Sequence, residues 1–211
     1  MPIRLILEGE KILESPFTIF KSNVSEEDFW NFASEDIKCE LIDGVLIIHS
    51  PANQEHEDIF SLLLTLFRYY LVNTGIGKVF GSRFVMHLSE KWNPEPDLLV
   101  ILNDKLDNLE SGKLQGPADL VVEILSESTR KTDIEDKIPH FLNEGVQEAW
   151  IIDPENKAIT LRWNDGEMIY QDPDSAEVIA SRILPGLRIP VAWIWNRASH
   201  PTKEDLQELI G

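Results

Sequence analysis

The sequence predicts a mixed α/β (α+β) domain, on three observations. Pro94–Leu102 and Asp119–Ser126 each contain a short apolar run of the kind that forms a strand buried on both faces. From Glu55 to about Val72 the spacing becomes helical, because Ile59, Phe60, Leu63, Phe67 and Tyr70 recur at steps of three and four residues. Asp43-Gly44 separates two apolar segments within Cys39–Ile48, the strongest short-range signal for a β-hairpin.

Taken in order, residues 1–22 alternate weakly and read as a strand-like or loosely packed leader, broken at Ser15-Pro16. Ser25 can cap a short helix through Phe32, with the acids of its first turn at the positive end. The Cys39–Ile48 hairpin ends at Ser50-Pro51, and the long helix ends at Gly75-Ile76-Gly77. Lys78–Phe80 and Arg83–Leu88 are strand candidates, and a charged, loop-like connection separates Leu102 from Gly116. Thr132-Asp133-Ile134-Glu135 spells a capping box, so a helix is expected to start at Asp133 and bury Ile134, Ile138 and Phe141. Pro139 conflicts with that helix, since it removes a hydrogen bond and should kink the element. Glu148–Asp153, Ala158–Trp163 and Glu167–Tyr170 follow as strands joined by turns, and Lys203–Ile210 can form a last short helix.

At 211 residues the chain is large enough to bury a core without staples. The single Cys39 cannot form an intramolecular disulfide, and no apolar run approaches 18 residues, so neither a secretory signal nor a membrane span is expected. A cytoplasmic setting follows as the expectation. The formal charge of -18, from 37 acidic residues against 19 Lys and Arg, weighs against tight duplex binding, which draws on Lys and Arg contacts. Glycine-rich phosphate loops, HExxH pairs and Cys/His clusters are absent, which removes nucleotide-fold enzymes, zinc hydrolases and zinc fingers from contention.

The two buried runs carry the chemistry. Asp97 opens the first and Glu123 interrupts the second. A carboxylate in a desolvated strand is costly unless it is paired, hydrogen-bonded or bound to a metal. If the strands are neighbours, both can enter one pocket with the Ile124 carbonyl as a third oxygen donor, a set that suits Mg²⁺ or Mn²⁺. The alternative is structural: Asp97 caps a turn and Glu123 pairs with an arginine. Glu40 reads as a surface or turn-supporting acid, and His56, on the buried face of the first helical turn, as a satisfied core histidine more readily than a catalytic one. Lys137 lies on the flank of its helix's apolar face, from which its ammonium can snorkel inward.

Hairpin, long helix, a strand led by Asp97, a strand with Glu123 and a helix with Lys137 form an order that resembles the PD-(D/E)XK superfamily. The sequence is most similar to its Uma-two family of endonucleases. The motifs that carry this are Glu40–Gly44, Pro96-Asp97, Asp119–Ser126, Glu144–Val146, Trp150–Pro154 and Leu184–Leu187. The resemblance implies a restriction-endonuclease-like core over residues 25–195, a central mixed β-sheet flanked by helices with extra β-hairpins, between an extension (1–24) and a tail (196–211). It implies metal-assisted phosphodiester hydrolysis of nucleic acid, DNA before RNA, with Asp97 and Glu123 as metal-binding carboxylates. The family lysine should stand two residues after Glu123, where this chain has Leu125; Lys137, on the following helix, is the matching candidate. Glu40 and His56 are further catalytic candidates, and Arg130 and Lys131, in the loop after the Glu123 strand, could meet phosphate.

Two rival readings stand beside this one: an inactive nuclease fold serving as an interaction or oligomerisation module, and a metal-dependent hydrolase of a smaller phosphate ester. A DNA substrate predicts a wide basic margin around the pocket, and a small substrate a closed one. A homodimer is expected, with Trp92, Trp193 and Trp195 as either its surface or core packing.

Overall fold

The computed structural model describes residues 17–34, 36–81, 83–127 and 130–209. Of the expected leader, residues 1–16 lie outside the described residues, while Thr18–Lys21 form strand β1. Helix α1 (Glu26–Phe32) starts where Ser25 accepts the Asp28 N–H, as its cap chemistry predicts. Strands β2 (Cys39–Ile42) and β3 (Val45–His49) form the expected hairpin, with Asp43 and Gly44 both at positive φ in its two-residue turn.

Helix α2 (Gln54–Thr74) is capped by the Asn53 side chain and ends on Gly75 in the left-handed region. It leads into β4 (Gly77–Gly81), β5 (Val85–His87) and β6 (Trp92–Asn93), then β7 (Leu98–Leu102). The connection after Leu102 is not a plain loop: it holds a 3-10 turn (Asn103–Asn108) and a small hairpin, β8 (Leu109–Glu110) and β9 (Lys113–Gln115), whose reversal uses Gly112 at φ +81°. Strand β10 (Leu120–Ile124) follows.

The helix expected to start at Asp133 is already helical at Arg130 and Lys131, so Thr132 is no cap. Thr132–Lys137 form a π-helical turn that runs into α3 (Ile138–Glu144). Its wide turn, closed by Ile138 N–H on Asp133 O, comes immediately before Pro139, so the proline falls in the first turn of α3, where its missing N–H matters least. Strands β11 (Glu148–Asp153), β12 (Ala158–Trp163) and β13 (Gly166–Tyr170) match the sequence reading closely. The chain ends with β14 (Val178–Ala180), β15 (Arg188–Pro190), α4 (Val191–Trp195) and α5 (Lys203–Glu208).

The main sheet has the order β13-β12-β11-β10-β7-β4, with β10 and β11 parallel and the other pairs antiparallel. Side chains alternate across it and define two cores. Leu98, Val100, Leu120, Val122 and Trp150 face α2, where Phe67 packs 5.1 Å from the Trp150 ring. Leu99, Ile101, Val121 and Ile151 face α3 through Phe141 and Ile138. A second sheet, β1-β3-β2-β6, closes over α1 with its own smaller core.

The tryptophans offered as a dimer surface are not exposed. Trp193 is buried in the α2-side core, Trp92 stacks on His140 with ring centroids 3.6 Å apart, and Trp195 lies beneath the Lys157 ammonium.

Candidate active site

Strand parity places the two carboxylates. Asp97 shares the face of Leu99 and Ile101, and Glu123 the face of Val121, so both point to the side covered by the π-turn and α3. Strands β7 and β10 are antiparallel neighbours with Leu98 opposite Val122, which brings the start of one beside the end of the other. Beyond that pair Asp97 continues the ladder with its side chain: Oδ2 accepts the Ile124 N–H at 2.8 Å.

The π-turn positions Lys137. Its Nζ lies 2.7 Å from Glu123 Oε1, 3.1 Å from Glu40 Oε2 and 3.2 Å from Asp133 Oδ1, and the residue is buried. Asp133 and Lys137 are four residues apart on one helical face, so the same turn delivers the ammonium and one of its partners. The side chain therefore does not snorkel along a flank; it forms the centre of a buried ion network.

Glu40 is correspondingly not a surface acid. Strand β2 buries it, Oε1 lies 3.0 Å from His49 Nε2, and Oε2 accepts the Glu95 N–H at 3.3 Å. His56 is not a plain core histidine either, since its Nε2 stands 3.1 Å from Asp97 Oδ2. A carboxylate can only accept, so Nε2 carries the proton of this bond. Lys38, overlooked in the sequence, completes the site at 2.7 Å from Asp97 Oδ1. All six side chains, Lys38, Glu40, His56, Asp97, Glu123 and Lys137, line one cleft of about 670 Å³ with Asp133.

The electrostatics follow from burial and pairing. Burial alone would raise the Asp97 carboxyl, but Lys38 and His56 outweigh it and hold Asp97 well below the ordinary carboxylate range. Glu40 is likewise held low against burial by Lys137 and His49. Glu123 goes the other way: burial raises its proton affinity, Lys137 opposes, and Asp133, Asp97 and Glu40 add to the rise. Lys137 stays protonated, because Glu123, Glu40 and Asp133 overcome its desolvation.

Among the described residues, four acids of this cluster, Glu40, Asp97, Glu123 and Asp133, surround two lysines, Lys38 and Lys137. Their side chains offer hard oxygen donors, the type that Mg²⁺ and Mn²⁺ take. Among the described residues no group of three or more His, Cys, Asp or Glu side chains is arranged to hold a metal ion.

Arg130 and Lys131 are helical, not in a loop. Arg130 lines the cleft but is clamped to Asp153 and Glu155, while Lys131 is 83% exposed and outside it. The rim also carries Glu127, Glu155 and Glu55, so the wide basic margin expected of a DNA site is not present around this cleft.

The mixed sheet with helices on both faces and an acidic cleft at the β7–β10 junction is a restriction-endonuclease-like fold. A family model described as "Putative restriction endonuclease", the Uma-two family, matches residues 26–192, and the chain belongs to that family. A crystal structure of a "putative nuclease belonging to DUF820" from Anabaena variabilis superposes with a TM-score of 0.71 at 19% identity, over 82% of this chain and 98% of the other. A comparison with curated proteins returns no match.

Proposed function

We propose that the protein is a metal-dependent nuclease of PD-(D/E)XK type that hydrolyses phosphodiester bonds of nucleic acid, with DNA the first substrate to test. The observation that carries this reading is the convergence of Asp97 and Glu123, from adjacent strands, with a buried ammonium 2.7 Å from Glu123. Asp97, Glu123 and the Ile124 carbonyl would hold Mg²⁺ or Mn²⁺. When bound, such a cation supplies Lewis-acid polarisation of a phosphoryl oxygen and a more acidic water.

The chain's own residues do the rest. Lys137, fixed by three carboxylates, keeps a positive charge beside Glu123, where it offsets charge developing on a phosphate or orients the attacking water. His56 and Lys38 fix both oxygens of Asp97 and keep it ionised. Glu40 holds Lys137 from the opposite side and so acts on the reaction through it.

The inactive-module reading draws on the charge of -18, on Leu125 in the place of the family lysine, and on the ammonium groups that already pair the acids. It gives no account of why Glu123 is left buried with an excess of like charge around it.

Plasmid nicking tests the proposal. Wild-type protein with Mg²⁺ should nick supercoiled DNA and lose this activity in EDTA. Asp97→Asn should abolish nicking, and Lys137→Gln should lower it by about 100-fold. Nicking that persists in EDTA, or equally in Asp97→Asn, overturns it.

A further inference from the structure

Glu55, on the first turn of α2, lines two clefts: the one holding Asp97 and Glu123, and a second of about 750 Å³ that the chemistry above does not use. The second contains Lys157, from the turn between β11 and β12, with Trp195 and Arg197 from the end of α4 and the segment after it. Glu55 Oε1 lies 2.9 Å from Lys157 Nζ and 3.3 Å from Arg197 Nη2, so a single carboxylate oxygen holds both cations. The Lys157 ammonium stands 5.0 Å above the Trp195 ring, which orients it.

Two buried donors at this cleft lack an acceptor among the described residues. Arg197 makes two long bonds, to Glu55 and to the Ile194 carbonyl at 3.3 Å each, and its Nε has no acceptor among the described residues. The Trp195 indole N–H also lacks one. Glu55 and Lys157 are 41% and 43% exposed at their side chains, so exchanging this carboxylate for another anion disturbs no core packing.

We propose that Lys157, Arg197 and Trp195 form a subsite for a backbone phosphate of the nucleic acid, flanking the scissile one, with Glu55 standing where a phosphate oxygen binds. The inference rests on the nuclease reading and extends it. Two connections place the subsite along a strand that crosses the Asp97 centre. Glu55 and His56 are consecutive, and His56 reaches Asp97. Pro154 and Glu155 line the first cleft while Lys157, in the same turn, lines the second. The subsite also supplies what the first cleft lacks, since Arg130 is committed to Asp153 and Glu155 there. Asp58 lies in the second cleft and sets a limit on how strongly it attracts an anion.

The test is fluorescence anisotropy of a fluorescein-labelled DNA duplex of about 20 base pairs, in EDTA, across a range of KCl. The double variant Lys157→Ala/Arg197→Ala should bind about 10-fold or more weakly and should flatten the dependence of log K on log salt by roughly 1.8, the loss of two phosphate contacts. Glu55→Gln should bind more tightly than wild type. Lys157→Gln alone changes a half-exposed side chain and should remove about half of the slope effect, which keeps the test valid if the double variant does not fold. Wild-type affinity and slope in Lys157→Gln and in the folded double variant overturn the subsite while leaving the nuclease reading in place. Wild-type protein that shows no salt-dependent binding to the duplex also overturns the subsite, while the nuclease reading is overturned only by the nicking assay.

Discussion

Lys137 balances three buried carboxylates, so its replacement exposes Glu40, Glu123 and Asp133 to one another in a desolvated site. Breaking a buried ion network by removing one partner costs about 3–5 kcal/mol, and Lys137→Met should lower unfolding stability by that amount in urea titrations. Stability equal to wild type would mean that the network is open to water. Cys39 gives a second residue-scale expectation. Burial pushes its thiol up to about 12, with Glu95 and Glu40 adding to the effect, so it should resist thiol reagents at pH 8 until the protein unfolds. Rapid labelling of native protein would contradict that environment. At this scale the sequence was legible where one side chain broke an apolar pattern, as Asp97 and Glu123 do. Lys38 and Glu40 were illegible or misread because their meaning depends on Asp97 and Lys137, 59 and 97 positions away, and Asp133 because its partner Lys137 was read as a flank lysine. The signal for the first two was present: Lys38 and Glu40 flank Cys39, so their side chains share one face at the entry to an apolar strand.

Each strand and helix near the site has a feature that a single change can probe. A Cβ on Gly77, at the start of β4, would lie 2.4 Å from the Ile101 carbonyl oxygen of β7. Gly77→Ala should therefore destabilise the protein by about 1–3 kcal/mol by forcing the edge of the sheet apart; a neutral effect in thermal unfolding would contradict the β4–β7 register. Arg130 ties the start of the π-turn segment to Asp153 at the end of β11. Burial alone would raise the Asp153 carboxyl, but bonds from Arg130 and Asn156 outweigh it and lower it from 3.8 to about 2. Its stabilising contribution is thus full above pH 3.8 and is lost as the pH falls through about 2. Asp153→Asn should be less stable than wild type at neutral pH, with the gap closing over that acid window in denaturation curves. A gap independent of pH would show that the carboxylate's charge is not what matters. Strands β10 and β11 and helix α2 were legible because burial on both faces, or on one helical stripe, leaves an uninterrupted apolar period. The capping box at Thr132 misled because the preceding turn is already helical and a π-turn, which has no simple sequence period, absorbs Pro139.

Across the whole molecule, the charge of -18 and the acidic rim set the conditions for any polyanion. Diffuse attraction to nucleic acid is weak on this surface, so affinity must come from a few placed cations and from neutralisation of the carboxylate cleft. The cleft's carboxylates repel a phosphate when unneutralised, and in the proposed function two of them, Asp97 and Glu123, would hold a divalent cation. Calorimetric titration of Mg²⁺ and Mn²⁺ into wild type, Asp97→Ala and Glu123→Ala measures that binding. Saturable binding in the wild type should disappear in both variants; absence of binding in the wild type, or binding unchanged in the variants, would rule out the site.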